Sequence, residues 1–399
     1  MRIFAPTTRE EVSEAVRSLP RVHPLGARSK PALSAALDPA HTLDLSGVRG
    51  VLDYDPAEFT ITALAGTPLA EVSAVLGEHR QHLPFDPPFA GHGATLGGAV
   101  ASGISGSGRQ RYGGVRDFLI GVAMVGGDGA VIRGGGKVVK NAAGFDLPKL
   151  MVGSLGTLGA LVELTFKVFP QPETYRTLRF EAGGFERAHR IALRLAAAPF
   201  DLEALDLEAP DIGISGHARP RAAAPAWHVL VRIGGPADSL LERARRIESF
   251  ASLEAEPLDG APDDELWCGV REASWLPEGH RLIRVPIAPT EAPPIEEAVG
   301  RCGEDGSTPV RRYAAGCGVL WLAWPPQRSL VELDEVLSSH RLAGQVVRGE
   351  APCGLLGELA GLAFYRRLKR ALDPQLRFPD LADLQAPRAA PRDWRAAET

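Results

Sequence analysis

Cysteine is scarce in this sequence. Its 399 residues hold four, Cys268, Cys302, Cys317 and Cys353, all in the second half and none two apart. No close cluster of the kind that holds an iron–sulfur centre or a structural zinc can be drawn from that spacing. The four read as free buried thiols in a reducing compartment, with no metal site. Long apolar runs are missing too: nothing approaches the roughly 18–20 residues that span a bilayer. Met1-Arg2-Ile3-Phe4-Ala5-Pro6 lacks the charged-then-apolar pattern of a secretory signal, and none is expected. Positive charge is not in excess. The formal net charge is −5, and the many arginines are interleaved with Asp and Glu, which argues against a phosphate-tracking surface for nucleic acid. The common nucleotide fingerprints are absent as well. No G-x-G-x-x-G follows a strand, and Gly136-Lys137 runs into Val138, which spoils a P-loop.

What the chain does have is glycine in one place: 20 of its 44 glycines lie between Gly91 and Gly159. Glycine is tolerated where backbone must take positive φ or approach a ligand closely, so this crowding implies a backbone-lined groove. The length and a hydrophobic fraction of 45% imply a soluble globular protein of two domains. The first part reads as α+β. Thr8 and Glu11 make a capping box for a first helix, and 43–45 and 60–64 alternate as strands. Thr67 then caps a second helix with Pro68 in its first turn, and 121–125 and 130–133 form a hairpin around Gly127-Asp128-Gly129. After Pro172 the texture changes. Helices are expected near 185–197, 239–251 and 329–337, with strands near 178–180, 227–233, 282–286 and 319–324; helices packed on one face of an antiparallel sheet fit that pattern. Residues 209–226 and 253–263 read as Pro- and Ala-rich loops, and 387–399 as a tail.

Four segments carry the candidate chemistry. Pro24-Leu25-Gly26-Ala27-Arg28-Ser29-Lys30 is a tight loop whose amides can form an anion nest, with Ser29 and the basic side chains as further donors. Gly93 to Gly103 is a run of small residues on a turn entering a helix, where a flat ring and a diphosphate can lie against backbone N–H groups. The third segment is Lys140-Asn141 through Asp146-Leu147, and the fourth Gly153-Ser154-Leu155-Gly156-Thr157-Leu158-Gly159, leading into a strand.

The order and spacing of these segments resemble the FAD-binding domain of FAD-linked oxidases of the vanillyl-alcohol oxidase and p-cresol methylhydroxylase (PCMH) type. Asp53-Tyr54-Asp55-Pro56, Leu83-Pro84-Phe85-Asp86-Pro87-Pro88 and Gly114-Val115-Arg116-Asp117-Phe118 extend the likeness toward the GlcE-like FAD-binding subunits of glycolate oxidases. It is strong over about 1–172 and weak beyond. The resemblance implies an α+β fold: a two-subdomain PCMH-type FAD-binding domain over 1–172, then a smaller α+β cap domain over 173–386 with a C-terminal return. It also implies non-covalent FAD. Gly26, Ala27, Arg28, Ser29 and Lys30 would hold its diphosphate. Thr95, Gly97, Gly98, Ser102 and Gly103 would line flavin and ribityl chain, and Gly156, Thr157 and Val162 would sit by diphosphate and adenosine. Lys140, Asn141 and Arg116 would lie toward the ring or brace its groove, and are the candidate catalytic residues; the alternative for Arg116-Asp117 is a buried ion pair fixing a loop. The implied function is a subunit of a glycolate (2-hydroxy-acid) oxidase or dehydrogenase complex. Electrons would pass from a small 2-hydroxy-acid substrate through flavin to a Cys-rich iron–sulfur subunit, beside a larger FAD-linked oxidase subunit. Localisation would be cytoplasmic, peripheral at the inner membrane only through partners. A stand-alone 2-hydroxy-acid dehydrogenase and a non-catalytic FAD-binding scaffold stay open.

The pattern breaks in places. Some relatives attach FAD through a histidine in the first loop; here His23 precedes the turn and reads as a strand-end residue. His92 stands ahead of the second segment and is a candidate to approach the ring. Related dehydrogenases carry a histidine-bearing segment in the second domain, and its counterpart here, Tyr313-Ala314-Ala315-Gly316-Cys317-Gly318-Val319-Leu320, contains none. Histidine is the usual proton acceptor because its pKa is near neutral.

Overall fold

The computed structural model describes residues 2–35, 37, 40–137, 145–210, 212, 226–302 and 308–385. The tail expected over 387–399 and most of the loop expected over 209–226 lie outside them.

The first part begins with β1 (Ile3–Phe4), α1 (Arg9–Ser18), β2 (Val22–Leu25) and β3 (His41–Asp44), and its three strands form a parallel sheet in the order β1-β3-β2. Thr8 Oγ1 caps α1 by accepting from Glu11 N at 3.2 Å, while the Glu11 carboxylate reaches one residue further back, to Thr7 N at 2.7 Å. Next come β4 (Val51–Asp55), β5 (Thr60–Leu64), α2 (Leu69–Gly77), β6 (Gln81–His82), α3 (Leu96–Ser102), α4 (Arg109–Tyr112) and α5 (Val115–Phe118). They are followed by β7 (Leu119–Val125), β8 (Val131–Gly135), α6 (Leu147–Met151), β9 (Ala160–Lys167) and β10 (Phe169–Pro170). An antiparallel five-stranded sheet runs β4-β5-β9-β7-β8, and β6 pairs with β10. Two expectations need correction here. Leu45 belongs to a 3-10 turn after β3. Thr67 is not the cap of α2: Pro68 takes that position, and the buried Thr67 hydroxyl instead donates to Leu64 O at 2.7 Å and accepts from Gly50 N at 2.9 Å. A threonine with two backbone partners inside the core gains more there than at a helix end.

The second part holds β11 (Thr174–Gly183), α7 (Phe185–Ala196), β12 (Ala204–Glu208), β13 (Trp227–Gly235), α8 (Ala237–Ala251), β14 (Glu256–Asp259) and α9 (Ala261–Glu272). It continues with β15 (Arg281–Pro286), α10 (Ala292–Arg301), β16 (Val310–Ala314), β17 (Val319–Trp324), α11 (Leu330–Ser339), β18 (Ala343–Arg348) and β19 (Leu355–Gly357). Its nine strands form one antiparallel sheet in the order β14-β11-β13-β12-β16-β17-β15-β18-β19. Residues of α7, α8, α10 and α11, among them Leu195, Ile247, Ile295 and Leu333, pack with Phe180, Val229 and Val231 on one face of that sheet, as the amphipathic pattern implied. The other face covers the first part: Leu282, Ala323 and Val347 share a core with Phe85, Phe118 and Phe166. Residues 253–263 are not a plain loop, since β14 and the first turn of α9 fall there. Gly260 at φ +58 and Pro262 start α9, and Asp263, 1% exposed, accepts from Thr177 Oγ1 at 2.5 Å and Arg232 Nη2 at 2.6 Å.

The chain then returns through α12 (Leu362–Leu372) and α13 (Leu381–Leu384) to its own beginning. Phe378 joins the core of Val12, Val16 and Leu43, and Val22 N donates to Arg377 O at 2.7 Å. Fully buried Lys369 ties this return in place, donating to Asp373 Oδ2 at 2.7 Å, to Phe378 O and Pro379 O at 3.0 Å each, and to Thr157 O.

Candidate functional site

Three loops converge on one groove. The end of β2 and the loop after it supply Pro24 to Lys30, α3 and its approach supply Thr95, Gly97, Gly98, Ala101 and Ser102, and the turn before β9 supplies Ser154, Leu155 and Gly156. Parallel pairing of β2 with β3 delivers the first loop to the edge of the sheet, and Thr95 Oγ1, accepting from Gly98 N at 3.1 Å, starts α3 beside it. The approach is close enough to require glycine. A Cβ on Gly26 would fall 2.6 Å from Thr95 Oγ1, so the two walls meet only because the side chain is absent. Arg28 at φ +56 bends the first loop, and Gly156 at φ +70 bends the third.

The electrostatics of the groove suit an anion. Lys30 is 5% exposed, with Ser29 Oγ at 3.5 Å and the Phe89 ring 5.8 Å away as its polar and π neighbours among the described residues. No carboxylate among the described residues pairs with it, and burial pulls its pKa down to about 8. A buried ammonium is normally matched by opposite charge. Backbone amides of a glycine-rich turn beside it suit a diphosphate. His23, also on the wall, is held neutral, its pKa pushed down to about 4 by burial and by Arg21.

Of the residues singled out from the sequence, Gly26, Ala27, Arg28, Ser29, Lys30, Thr95, Gly97, Gly98, Ser102 and Gly156 line the groove together. Gly103 lies just beyond, ending α3 at φ +66 against Gly153. Thr157 is behind the wall, its hydroxyl on Ser154 O at 2.7 Å. The Val162 side chain is in the core with Val12 and Val16, and its carbonyl accepts from Ala65 N at 3.0 Å. Arg116 is exposed on α5, and Asp117 accepts from Gly114 N at 2.8 Å, so the two do not form a buried ion pair. Lys140 and Asn141 lie outside the described residues. His92 is spoken for on both nitrogens, Nδ1 by Glu272 Oε2 at 2.7 Å and Nε2 by Arg348 Nη1 at 2.9 Å, a link between the two parts of the chain. Its partners come from α9 and β18, neither of which was expected from the sequence.

Residues 2–135 match the family model described as an FAD binding domain, and the N-terminal part of this chain is an FAD-binding module of the PCMH-type fold. Among curated proteins the chain is 43% identical over 183 residues to "Glycolate oxidase subunit GlcE" of Escherichia coli (strain K12), covering 46% of this chain and 52% of that one. It is 32% identical over 215 residues to the mitochondrial "D-lactate dehydrogenase [cytochrome] 1" of Saccharomyces cerevisiae (51% of this chain, 36% of that one). It is 34% identical over 159 residues to "Glycolate oxidase subunit GlcD" of Bacillus subtilis (39% and 34%). The chain thus spans about half the length of the first of these relatives and about a third of the other two. A solved alkyldihydroxyacetonephosphate synthase has the same fold, with a TM-score of 0.67 at 16% identity, over 94% of this chain and 76% of that one.

Proposed function

We propose that this chain is the FAD-binding subunit of a glycolate (2-hydroxy-acid) oxidase or dehydrogenase complex, an oxidoreductase acting on CH–OH and active in the company of partners. Residues 1–172 are the FAD module and 173–386 its cap. The partners are a larger FAD-linked oxidase subunit and a Cys-rich iron–sulfur subunit. The observation that carries the reading is the buried, unmatched Lys30 amid three glycine-rich loops, in a chain that is 43% identical over 183 residues to a glycolate oxidase subunit. Bound FAD would supply a two-electron acceptor for hydride from the substrate carbon. Gly26 to Lys30 would hold its diphosphate, and Thr95, Gly97, Gly98 and Ser102 its ribityl and ring.

The cap sheet offers no group suited to taking the hydroxyl proton in the segment that carries histidine in related enzymes. Tyr313 donates its hydroxyl to Glu296 Oε2 at 2.9 Å, and the Cys317 thiol is pushed up to about 12 by burial and by Asp206. This favours a subunit over a self-sufficient enzyme. No helix among the described residues is long and apolar enough to cross a membrane; attachment, where it occurs, is through partners.

The test is reduction of an artificial dye by glycolate or lactate, with the chain alone and with the co-expressed complex. Activity confined to the complex is expected. Equal turnover by the isolated chain would replace this reading with a stand-alone dehydrogenase, and a complex whose activity survives loss of this chain's flavin would leave only a scaffold.

A further inference from the structure

Alternation along β15 sends Ile283 and Val285 into the helix-covered core and leaves Leu282 and Arg284 on the face turned to the FAD module. On adjacent strands, Arg312 stands opposite Trp321, Trp321 opposite Arg284, and Arg284 opposite Gln345. This row contains two buried guanidiniums in opposite circumstances. Arg312, 1% exposed, is matched by Asp206 at 2.7 Å and by Glu208. Arg284, 5% exposed, has no carboxylate partner among the described residues. Its Nη1 donates to Gln345 Oε1 at 2.9 Å and its Nε has no acceptor. The charged group acting on it is another cation, Arg109; burial, aided by Arg109, drags its pKa down to about 10. Gln345 in turn donates from Nε2 to Ser102 O at 3.1 Å, so one side chain separates Arg284 from a residue that lines the cofactor groove. Beside it, Trp321 lines a small, partly open cavity with Phe89, Ser107 and Arg312.

A guanidinium buried without counter-charge is costly to the folded state. Its planar fork matches a carboxylate. We propose that Arg284 receives the carboxylate of a small organic acid between the cap sheet and the Ser102 end of the groove, with Trp321 against the acid's carbon chain. The inference deepens the proposed function by giving this chain its own anchor for an acid substrate, although the cap lacks a histidine. It rests on that reading only for the identity of the acid.

The test is equilibrium dialysis of labelled oxalate, an unreactive two-carbon dicarboxylate, against the FAD-loaded chain, together with melting temperatures. Wild type should bind oxalate saturably, and Arg284→Gln should bind it roughly 10- to 100-fold more weakly with FAD content unchanged. Arg284→Lys should keep part of the affinity. Without oxalate, Arg284→Met should melt at or above the wild-type temperature, because it removes an uncompensated charge, whereas Arg312→Met should melt lower. Absence of oxalate binding in the wild type, undiminished binding in Arg284→Gln, or a fall in melting temperature for Arg284→Met as large as for Arg312→Met would overturn the inference. Oxalate binding that depends on Arg284 in a chain whose complex oxidises no 2-hydroxy acid would uphold this site while removing the proposed reaction.

Discussion

Gly98 offers the sharpest separation of cofactor binding from folding. Both Gly97 and Gly98 line the groove, and the sequence gives no reason to treat them differently. Their surroundings do. A Cβ on Gly97 would sit 2.8 Å from Ala65 O and 2.9 Å from Ala65 Cβ, and Gly97 N already donates to that carbonyl at 2.7 Å. Backbone cannot yield there without breaking the contact between α3 and β5, so Gly97→Val should destabilise the protein by about 1–3 kcal/mol or more, with or without cofactor. A Cβ on Gly98 meets only Thr95 Oγ1, at 3.1 Å, and otherwise points into the groove. Replacing a helical glycine recovers roughly 0.5–1 kcal/mol of backbone entropy, which offsets that contact. Gly98→Val should therefore leave the flavin-free melting temperature nearly unchanged. Its methyls occupy space assigned to FAD, and overpacking of about 1–3 kcal/mol corresponds to roughly 5- to 150-fold weaker binding. Quenching of FAD fluorescence gives the affinity, and a thermal melt of the flavin-free protein gives the stability. A folded Gly98→Val with wild-type affinity for FAD would refute the placement of the cofactor against α3.

Lys30→Met should weaken FAD binding while stabilising the flavin-free protein, because it removes a buried, unmatched ammonium; titration and melting of the same variant check both signs. With a folded pKa of about 8, below its unfolded value, Lys30 gives the unfolded chain the greater proton uptake between about pH 8 and 10.5. Its contribution to flavin-free stability should thus rise with pH across that window, by an amount on the order of 3 kcal/mol, while FAD affinity falls as pH passes 8 and the charge is lost; Lys30→Met should show neither trend. Lys369→Met strands the buried Asp373 carboxylate and three carbonyls, and should cost about 3–5 kcal/mol in urea unfolding. Of the four cysteines only Cys268 is exposed, so one thiol per native chain should react with a thiol reagent and four after denaturation.

The groove was legible because its requirement is local and repeated. Gly26 and Gly156 mark places where backbone must come close or turn, and Gly98 leaves its side of α3 open to the groove. Helices such as α7 and α8 were legible from apolar spacing alone. The misses share a different cause. Thr67 carries a helix-cap signature, but two buried backbone partners recruit its hydroxyl. The start of α9 is hidden by Pro262 and by Gly260 at φ +58, and Asp263 looks solvated until Arg232 and Thr177 from distant strands close on it. Arg284 sits in Arg-Leu-Ile-Arg-Val-Pro, which reads as a half-solvated strand. Only the nine-stranded sheet, folded over the FAD module, buries it. Arg116 shows the converse: the alternative reading made it half of a buried ion pair with Asp117, and both are exposed on α5.

The central claim is that these loops hold FAD, without a covalent bond, in this chain. Acid precipitation of the purified and reconstituted protein tests it most directly, with flavin in supernatant and pellet quantified by absorbance and identified by chromatography. The account predicts about one FAD per chain, all in the supernatant, since the first loop offers Arg28, Ser29 and Lys30 but no histidine. Flavin retained in the pellet would contradict the non-covalent mode, and a folded protein that takes up no FAD at all would contradict the claim itself.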